Sequence, residues 1–120
     1  MKSKRTYTDY IRDILETIDK AERFVEGMSF DEFINDDRTT FAAVRALEII
    51  GEASKNLPQP LKDGYPQVFW QDIVAMRNRI VHAYFGVDLE IVWETIHDDL
   101  PILKPVVAQM LADAEREAGE

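Results

Sequence analysis

Residues 39–56, TTFAAVRALEIIGEASKN, decide the fold class, because their apolar side chains recur at the three- and four-residue spacing of an amphipathic α-helix. Gly51 stands in the middle of this stretch, where a glycine costs roughly 1 kcal/mol relative to alanine. We therefore expect another helix to approach closely at Gly51. The expected inner face of the helix comprises Phe41, Val44, Leu47, Ile50, Ala53 and Leu57.

The same periodicity continues toward the N-terminus. An apolar stripe from Tyr7 to Met28 predicts a long first helix, with Thr6 or Thr8 as its N-cap and an end near Gly27. The following segment, SFDEFIN, begins with Ser29, and Glu32 stands three residues later. This spacing is typical of a capping box and predicts a short second helix.

Toward the C-terminus, a loop of about ten residues with three prolines precedes a helix expected over about residues 70–85, which Gly86 ends. Asp88 is the expected N-cap of the next helix. Pro101 and Pro105 predict a break near residues 98–99 and a last helix over about residues 100–117, with one kinked continuous helix as the alternative.

These patterns together predict a single domain over residues 1–120. The chain shows no alternating strand pattern and no internal repeat. At 46% hydrophobic residues it is able to bury a core. The sequence therefore predicts an all-α fold, an antiparallel bundle of four to five helices.

The composition excludes several classes of site. The chain has no cysteine, which excludes disulfides, a cysteine nucleophile and thiolate metal sites. A net charge of −9 argues against general attraction to polyanions. The charge is nevertheless uneven, at −7 over residues 88–120 and +2 over residues 38–62, so a local phosphate site stays open. The N-terminus lacks a signal-peptide pattern, no apolar run is long enough for a membrane span, and we expect a cytoplasmic protein.

The segment that carries chemistry is residues 70–86, WQDIVAMRNRIVHAYFG. On a helical wheel, Tyr84 falls on the core face, and Asn78 and His82 fall together on the opposite face. Arg77 falls on the core side, where burying an unpaired guanidinium is costly. Its head must therefore reach a carboxylate, a carbonyl or a cleft open to a ligand. The core face of the segment also comprises Ile73, Met76 and Ile80, and the glutamates available for a purely structural ion pair are Glu48, Glu52 and Glu94.

The pattern Arg77-Asn78-x3-His82-x-Tyr84 resembles the signature of HEPN-superfamily ribonucleases, as found in the HepT toxins of the MntA–HepT type of toxin–antitoxin pair. The helix over residues 46–53 and the tail over residues 92–103 also resemble this family. The resemblance implies a HEPN-like fold, a homodimer and metal-independent endoribonuclease activity without a cofactor. It assigns catalysis to Arg77 and His82 with Asn78 in support, and makes Tyr84 the acceptor of AMP from a nucleotidyltransferase antitoxin of the MntA type.

The chemistry of these residues fits that reading. Metal-free RNA cleavage uses the 2′-hydroxyl as nucleophile and needs a base, an acid and a cation for the charged phosphorane. Histidine titrates near neutrality, and arginine binds phosphate oxygens and stays charged. One motif supplies one histidine, and a two-fold dimer supplies two. Whether tRNA, mRNA or another RNA is cut stays open.

Structural roles remain alternatives for each residue. His82 and Asn78 also fit as surface residues, and Tyr84 fits as a core residue. The run over residues 97–99, His-Asp-Asp, is read as a solvated helix end instead of a metal site. The alternative function is a non-catalytic helical module that dimerises or binds nucleotide beside a nucleotidyltransferase, which the net charge of −9 favours.

Overall fold

The computed structural model describes residues 6–81 and 86–119, and every regular element within those ranges is helical. The predicted all-α fold class is confirmed. The elements are α1 (Tyr7–Phe24), α2 (Phe30–Ile34), α3 (Asp37–Lys55), α4 (Gln59–Asp63), α5 (Trp70–Val81), α6 (Leu89–Glu94) and α7 (Leu100–Ala118), with a π-helical segment, Thr95–Asp99, between α6 and α7.

The helix starts follow the predicted caps. Thr6 caps α1 in a reciprocal capping box with Asp9, and Ser29 does the same for α2 with Glu32. The Asp88 side chain accepts hydrogen bonds from the first backbone N–H groups of α6. The first helix ends at Phe24, three residues before the glycine expected to mark its end, and that glycine adopts φ +75° in the following turn.

Helix α3 occupies the centre of the bundle. It packs against α1, α5, α2 and α6, while α7 packs against α1. The largest fully buried side chains come from five different parts of the chain, so one continuous core joins the helices. They are Phe33, Ile11, Ile14, Ile18, Leu47, Ile50, Ile96 and Met110.

Two predictions about α3 and its neighbouring loop were wrong. Phe41, predicted to face the core, is 76% exposed. The buried face of α3 is centred on Ala43, Leu47 and Ile50, and Phe41 lies about 120° from Leu47 around the helix. The proline-rich loop contains the short helix α4, because Pro58 and Pro60 occupy its first positions, where a missing N–H costs nothing.

The predicted break near residues 98–99 was also wrong. The backbone stays helical from α6 to α7, and the N–H of Leu100 donates to the carbonyl of Thr95, five residues earlier. Pro101 has no N–H to donate, and the wider π-turn before it accommodates the missing bond. Pro105 lies inside α7. Among the described residues, no helix combines the length and the apolar character that a bilayer crossing requires.

Candidate functional site

The site is built where α5 crosses α3. A Cβ placed on Gly51 would lie 2.1 Å from the Cβ of Arg77 and 2.6 Å from its Cγ, far inside van der Waals contact. Only glycine lets the two helices approach to this distance. The predicted close approach at Gly51 is thus confirmed, and the residue that makes it is Arg77.

The guanidinium of Arg77 is held by two side chains. Its side chain is 22% exposed, and Nη2 lies 2.9 Å from Oε2 of Glu52. Nη1 donates a 3.0 Å hydrogen bond to Oδ1 of Asn78. Of the three glutamates considered as ion-pair partners, the structure selects Glu52, whereas Glu48 pairs with Arg45 at 3.2 Å.

These contacts orient the guanidinium and engage only part of its hydrogen-bonding capacity. An arginine has five N–H donors and no acceptor, and one donor is committed to Asn78. The Nε of Arg77 is buried and has no hydrogen-bond partner among the described residues. Because Glu52 is 49% exposed, its ion pair with Arg77 contributes at most about 1 kcal/mol, so its main effect is orientation.

A cleft of about 190 Å³ opens on the Arg77 side of α5. Three carboxylates face two guanidinium groups in it, and we name it the acidic cleft. The cleft has a net negative charge, because its carboxylates outnumber its guanidinium groups. This charge would repel a polyanion, so we do not expect RNA to fill the cleft itself. It is lined by Asp13, Arg45, Glu48, Ile49, Glu52, Ala53 and Arg77.

A second and wider groove, of about 560 Å³, begins at the next residue of α5, Asn78. Two lysines and one aspartate give it a positive excess, and we name it the basic groove. The two sides of the motif helix therefore differ in charge. The basic groove is lined by Lys55, Gln59, Lys62, Val68, Phe69, Trp70, Gln71, Asp72, Val74, Ala75 and Asn78.

The structure brings two of the predicted site residues together. Arg77 and Asn78 are hydrogen-bonded to each other, and Asn78 is exposed as predicted. His82 and Tyr84 lie outside the described residues, and their roles stay predictions. The predicted core face of α5 is confirmed for Ile80, which is 8% exposed. Ile73 and Met76 are partly buried against the core.

The run over residues 97–99 has structural contacts. The ring of His97 lies 4.0 Å from the ring of Trp93, and its Nδ1 lies 2.8 Å from the Trp93 carbonyl oxygen. Burial raises the pKa of the Asp99 carboxyl, and Asp98 and Asp72 add to the effect by repulsion. In the parts of the chain that the structure describes, no three histidine or carboxylate side chains are grouped to hold a metal.

The sequence patterns did not predict that Phe69 and the two lysines of the basic groove would lie together on one surface. Phe69 is 77% exposed directly before α5, and Lys55 and Lys62 lie on α3 and α4. The only signal in the sequence was the net charge of +2 over residues 38–62. That signal gave no indication that the lysines would lie in one groove with Asn78.

Comparison with known proteins identifies the family. The family model described as "Ribonuclease HepT-like" matches residues 14–110. A protein of Thermococcus cleftensis named "Probable ribonuclease HepT" is 46% identical over 101 residues, which are 84% of this chain and 92% of that protein. A protein of Caldanaerobacter subterraneus subsp. tengcongensis carrying the name "Putative RNase" is 43% identical over 92% of this chain and 96% of its own length.

A further relative with that name, from Methanocaldococcus jannaschii, is 38% identical over 93% of each chain. No solved structure matches this chain significantly. The match to the family model covers residues on α1, α3, α5 and α7, and therefore includes Gly51, Arg77 and Asn78. The chain thus belongs to the HepT-like ribonuclease family.

Proposed function

We propose that this chain is an endoribonuclease that cleaves RNA without a metal ion, by attack of the 2′-hydroxyl on the adjacent phosphorus. Membership of a ribonuclease family supports the activity. The observation that carries the mechanism is the placement of Arg77. The Arg77 side chain is 22% exposed, and Glu52 and Asn78 fix its guanidinium at a helix crossing that only glycine permits.

Arg77 supplies the cation in this mechanism. The phosphorane carries more negative charge than the starting diester, so a fixed guanidinium stabilises it more than it stabilises the ground state. Asn78 keeps the guanidinium in place through Oδ1. Its amide N–H groups have no hydrogen-bond partner among the described residues and are able to bind a phosphate oxygen.

His82 moves the protons. One imidazole removes the proton of the 2′-hydroxyl, and another protonates the departing 5′-oxygen, which leaves a 2′,3′-cyclic phosphate and a 5′-hydroxyl. One chain offers one such histidine, so we propose a homodimer in which the motif helices of two copies face each other. Sedimentation at micromolar concentration tests this, and a fully active monomer would contradict it.

Modification of Tyr84 is the proposed regulation. A nucleotidyltransferase partner would transfer AMP from ATP to the tyrosine oxygen and release pyrophosphate. Tyr84 follows Arg77 by seven residues, which on a continued helix is the same face two turns later. The added phosphate would bring negative charge to the cation that the reaction needs. Mass spectrometry of the chain after incubation with its partner and ATP tests this, with Tyr84→Phe as control.

The activity is tested with purified protein and RNA in EDTA. We expect the wild-type chain to cut and His82→Ala to be inactive, with Lys20→Gln as a control substitution on exposed α1 surface. The products should end in 2′,3′-cyclic phosphate. Cleavage that requires a metal, or products with a 3′-hydroxyl, would contradict the mechanism.

The alternative is a non-catalytic module that dimerises or binds nucleotide beside a nucleotidyltransferase. The net charge of −9 favours it, because RNA-binding surfaces are commonly basic. It replaces the ribonuclease proposal if unmodified wild-type protein cuts no RNA under any metal condition.

A further inference from the structure

The basic groove holds side chains that the catalytic proposal does not use. We infer that this groove binds single-stranded RNA, with Lys55 and Lys62 on phosphates and the Phe69 ring stacked on a base. The inference rests on the proposed function, since the RNA in the groove is the strand that Arg77 acts on. The inference goes beyond that function because it names the surface along which the RNA strand reaches the catalytic residues.

Phe69 has the properties of a stacking platform. Its side chain is 77% exposed, whereas its neighbours Val68 and Trp70 are 9% and 7% exposed and hold the backbone in place. Its carbonyl accepts a 3.0 Å hydrogen bond from the N–H of Asp72 in the first turn of α5. The ring is therefore presented to solvent by an ordered backbone. Aromatic rings in this setting stack on unpaired bases with little sequence preference.

Lys55 and Lys62 are the cations of the groove. Neither lies within 4 Å of a carboxylate in residues 6–81 and 86–119, and the Nζ of Lys62 donates to the carbonyl of Ser54 at 3.3 Å. Within the described ranges, five of the nine other lysine and arginine side chains pair with a carboxylate, in a chain of net charge −9. Arg12, Arg45, Arg77, Lys104 and Arg116 each have a carboxylate partner.

The groove leads directly to the candidate catalytic residues. Asn78 lines it and accepts the hydrogen bond from Nη1 of Arg77. A strand that lies along the groove therefore reaches Asn78, the residue hydrogen-bonded to the guanidinium of Arg77. The amides of Gln59 and Gln71 add hydrogen-bonding groups along the same path.

A single strand fits this surface better than a duplex. Stacking on Phe69 requires a base that is free of its neighbours, and the bases of an A-form duplex are stacked and paired. A basic groove with an exposed ring also suits an acidic peptide. RNA is favoured here because the groove is lined by Asn78, the hydrogen-bond partner of Arg77, in a chain of a ribonuclease family.

The test measures binding separately from cleavage. A fluorescent single-stranded oligonucleotide with 2′-O-methyl groups has no 2′-hydroxyl to attack, so its dissociation constant is measured by anisotropy without turnover. Phe69→Ala should weaken binding by about 5- to 100-fold, and Phe69→Trp should restore it. The control is Phe41→Ala, because Phe41 is 76% exposed and does not line the groove.

The lysines are tested through salt dependence. For single strands, each phosphate contact contributes about 0.7 to the slope of log affinity against log salt. The double variant Lys55→Gln, Lys62→Gln should lower the magnitude of that slope by about 1.4, whereas Phe69→Ala should leave it unchanged. The control pair is Lys20→Gln, Arg38→Gln, which removes the same charge elsewhere. Lys62→Arg retains the charge, and thermal melting verifies folding of every variant.

The possible results separate this inference from the proposed function. Wild-type protein that cuts RNA, with groove variants that bind and cut normally, would overturn the groove and leave the ribonuclease proposal intact. Protein that binds the probe with the expected losses but never cuts RNA would support the groove and contradict the catalytic proposal. Equal affinity for duplex and single strand, or binding of polyglutamate instead of RNA, would overturn the inference.

Discussion

The acidic cleft and the basic groove begin at consecutive residues of α5, Arg77 and Asn78. They differ in whether their cations are paired with carboxylates. In the acidic cleft, Arg77 pairs with Glu52 and Arg45 pairs with Glu48. In the basic groove, the two lysines have no carboxylate within 4 Å among the described residues. A net charge of −9 describes neither surface.

The difference indicates that the two surfaces have different roles, one in catalysis and one in RNA binding. A cation paired with a carboxylate has a fixed orientation. It is therefore suited to stabilise the negative charge that develops at one position in the transition state. An unpaired lysine on a flexible stem suits phosphates whose positions vary along a strand. We expect substitutions in the acidic cleft to change the rate of cleavage, and substitutions in the basic groove to change the affinity for RNA.

The largest expected effect is that of Arg77→Ala on cleavage. Removing the proposed catalytic cation should lower kcat/KM by about 10²- to 10³-fold, comparable to the loss of an oxyanion-hole donor. Arg77→Lys should be intermediate, because an ammonium does not reproduce the planar fork. The control is Arg45→Ala, which removes the other guanidinium of the acidic cleft. An equal loss in both alanine variants would show that Arg77 has no special role.

Gly51→Ala should give the largest effect on stability. The added methyl group meets the Cβ of Arg77 at 2.1 Å, so α3 and α5 must separate. Overpacking of this kind typically costs about 1–3 kcal/mol in the free energy of unfolding. Urea denaturation measures it. Gly119→Ala is the control, since its new Cβ would meet its nearest neighbour at 3.4 Å.

A smaller effect is expected for Glu52→Gln, which tests whether orientation of Arg77 matters. The half-exposed ion pair should contribute less than about 1 kcal/mol to stability. We expect kcat to fall severalfold while affinity for the uncleavable probe is unchanged. Glu48→Gln is the matched control, because Glu48 lines the same cleft but pairs with Arg45. An equal fall in kcat for both variants would indicate a general charge effect.

The smallest effect concerns a contact whose two side chains line neither surface, the hydrogen bond from Tyr65 to Asp113. This bond raises the pKa of Tyr65 to about 12 and lowers the pKa of the Asp113 carboxyl. The lowered carboxyl pKa contributes stability above the ordinary value of 3.8, and this is lost as the pH falls below it. The raised phenol pKa contributes stability below 10, which is lost as the pH rises toward 12.

Tyr65→Phe should therefore lower the thermal midpoint at neutral pH, and the difference from wild type should shrink at both extremes. Thermal melting across pH measures it. Tyr7→Phe is the control, because the hydroxyl of Tyr7 has no carboxylate partner among the described residues. A constant deficit across the whole range would mean that packing of the ring, and not the hydrogen bond, stabilises α7 against the loop.

Much of the fold followed from local signals. The caps at Thr6, Ser29 and Asp88 act within three residues of themselves, so a reading of the chain finds them. The error at Phe41 arose because the helical spacing of apolar residues was taken to mark a wider buried face than α3 has. Phe41 has helical spacing to some core residues, but only the position of α1 and α5 around α3 decides which side of the helix is buried.

For the site, two features were predictable from the residues alone: Arg77 would need a partner, and a helix would approach Gly51. The cost of a buried charge and the cost of a mid-helix glycine are local properties. The packing of the helices adds that these two features meet each other and that Glu52 is the partner. It also brings Lys55, Lys62 and Phe69 into one groove with Asn78. These residues lie on different helices, and the distances between their side chains are set by how the helices cross, which no spacing along the chain encodes.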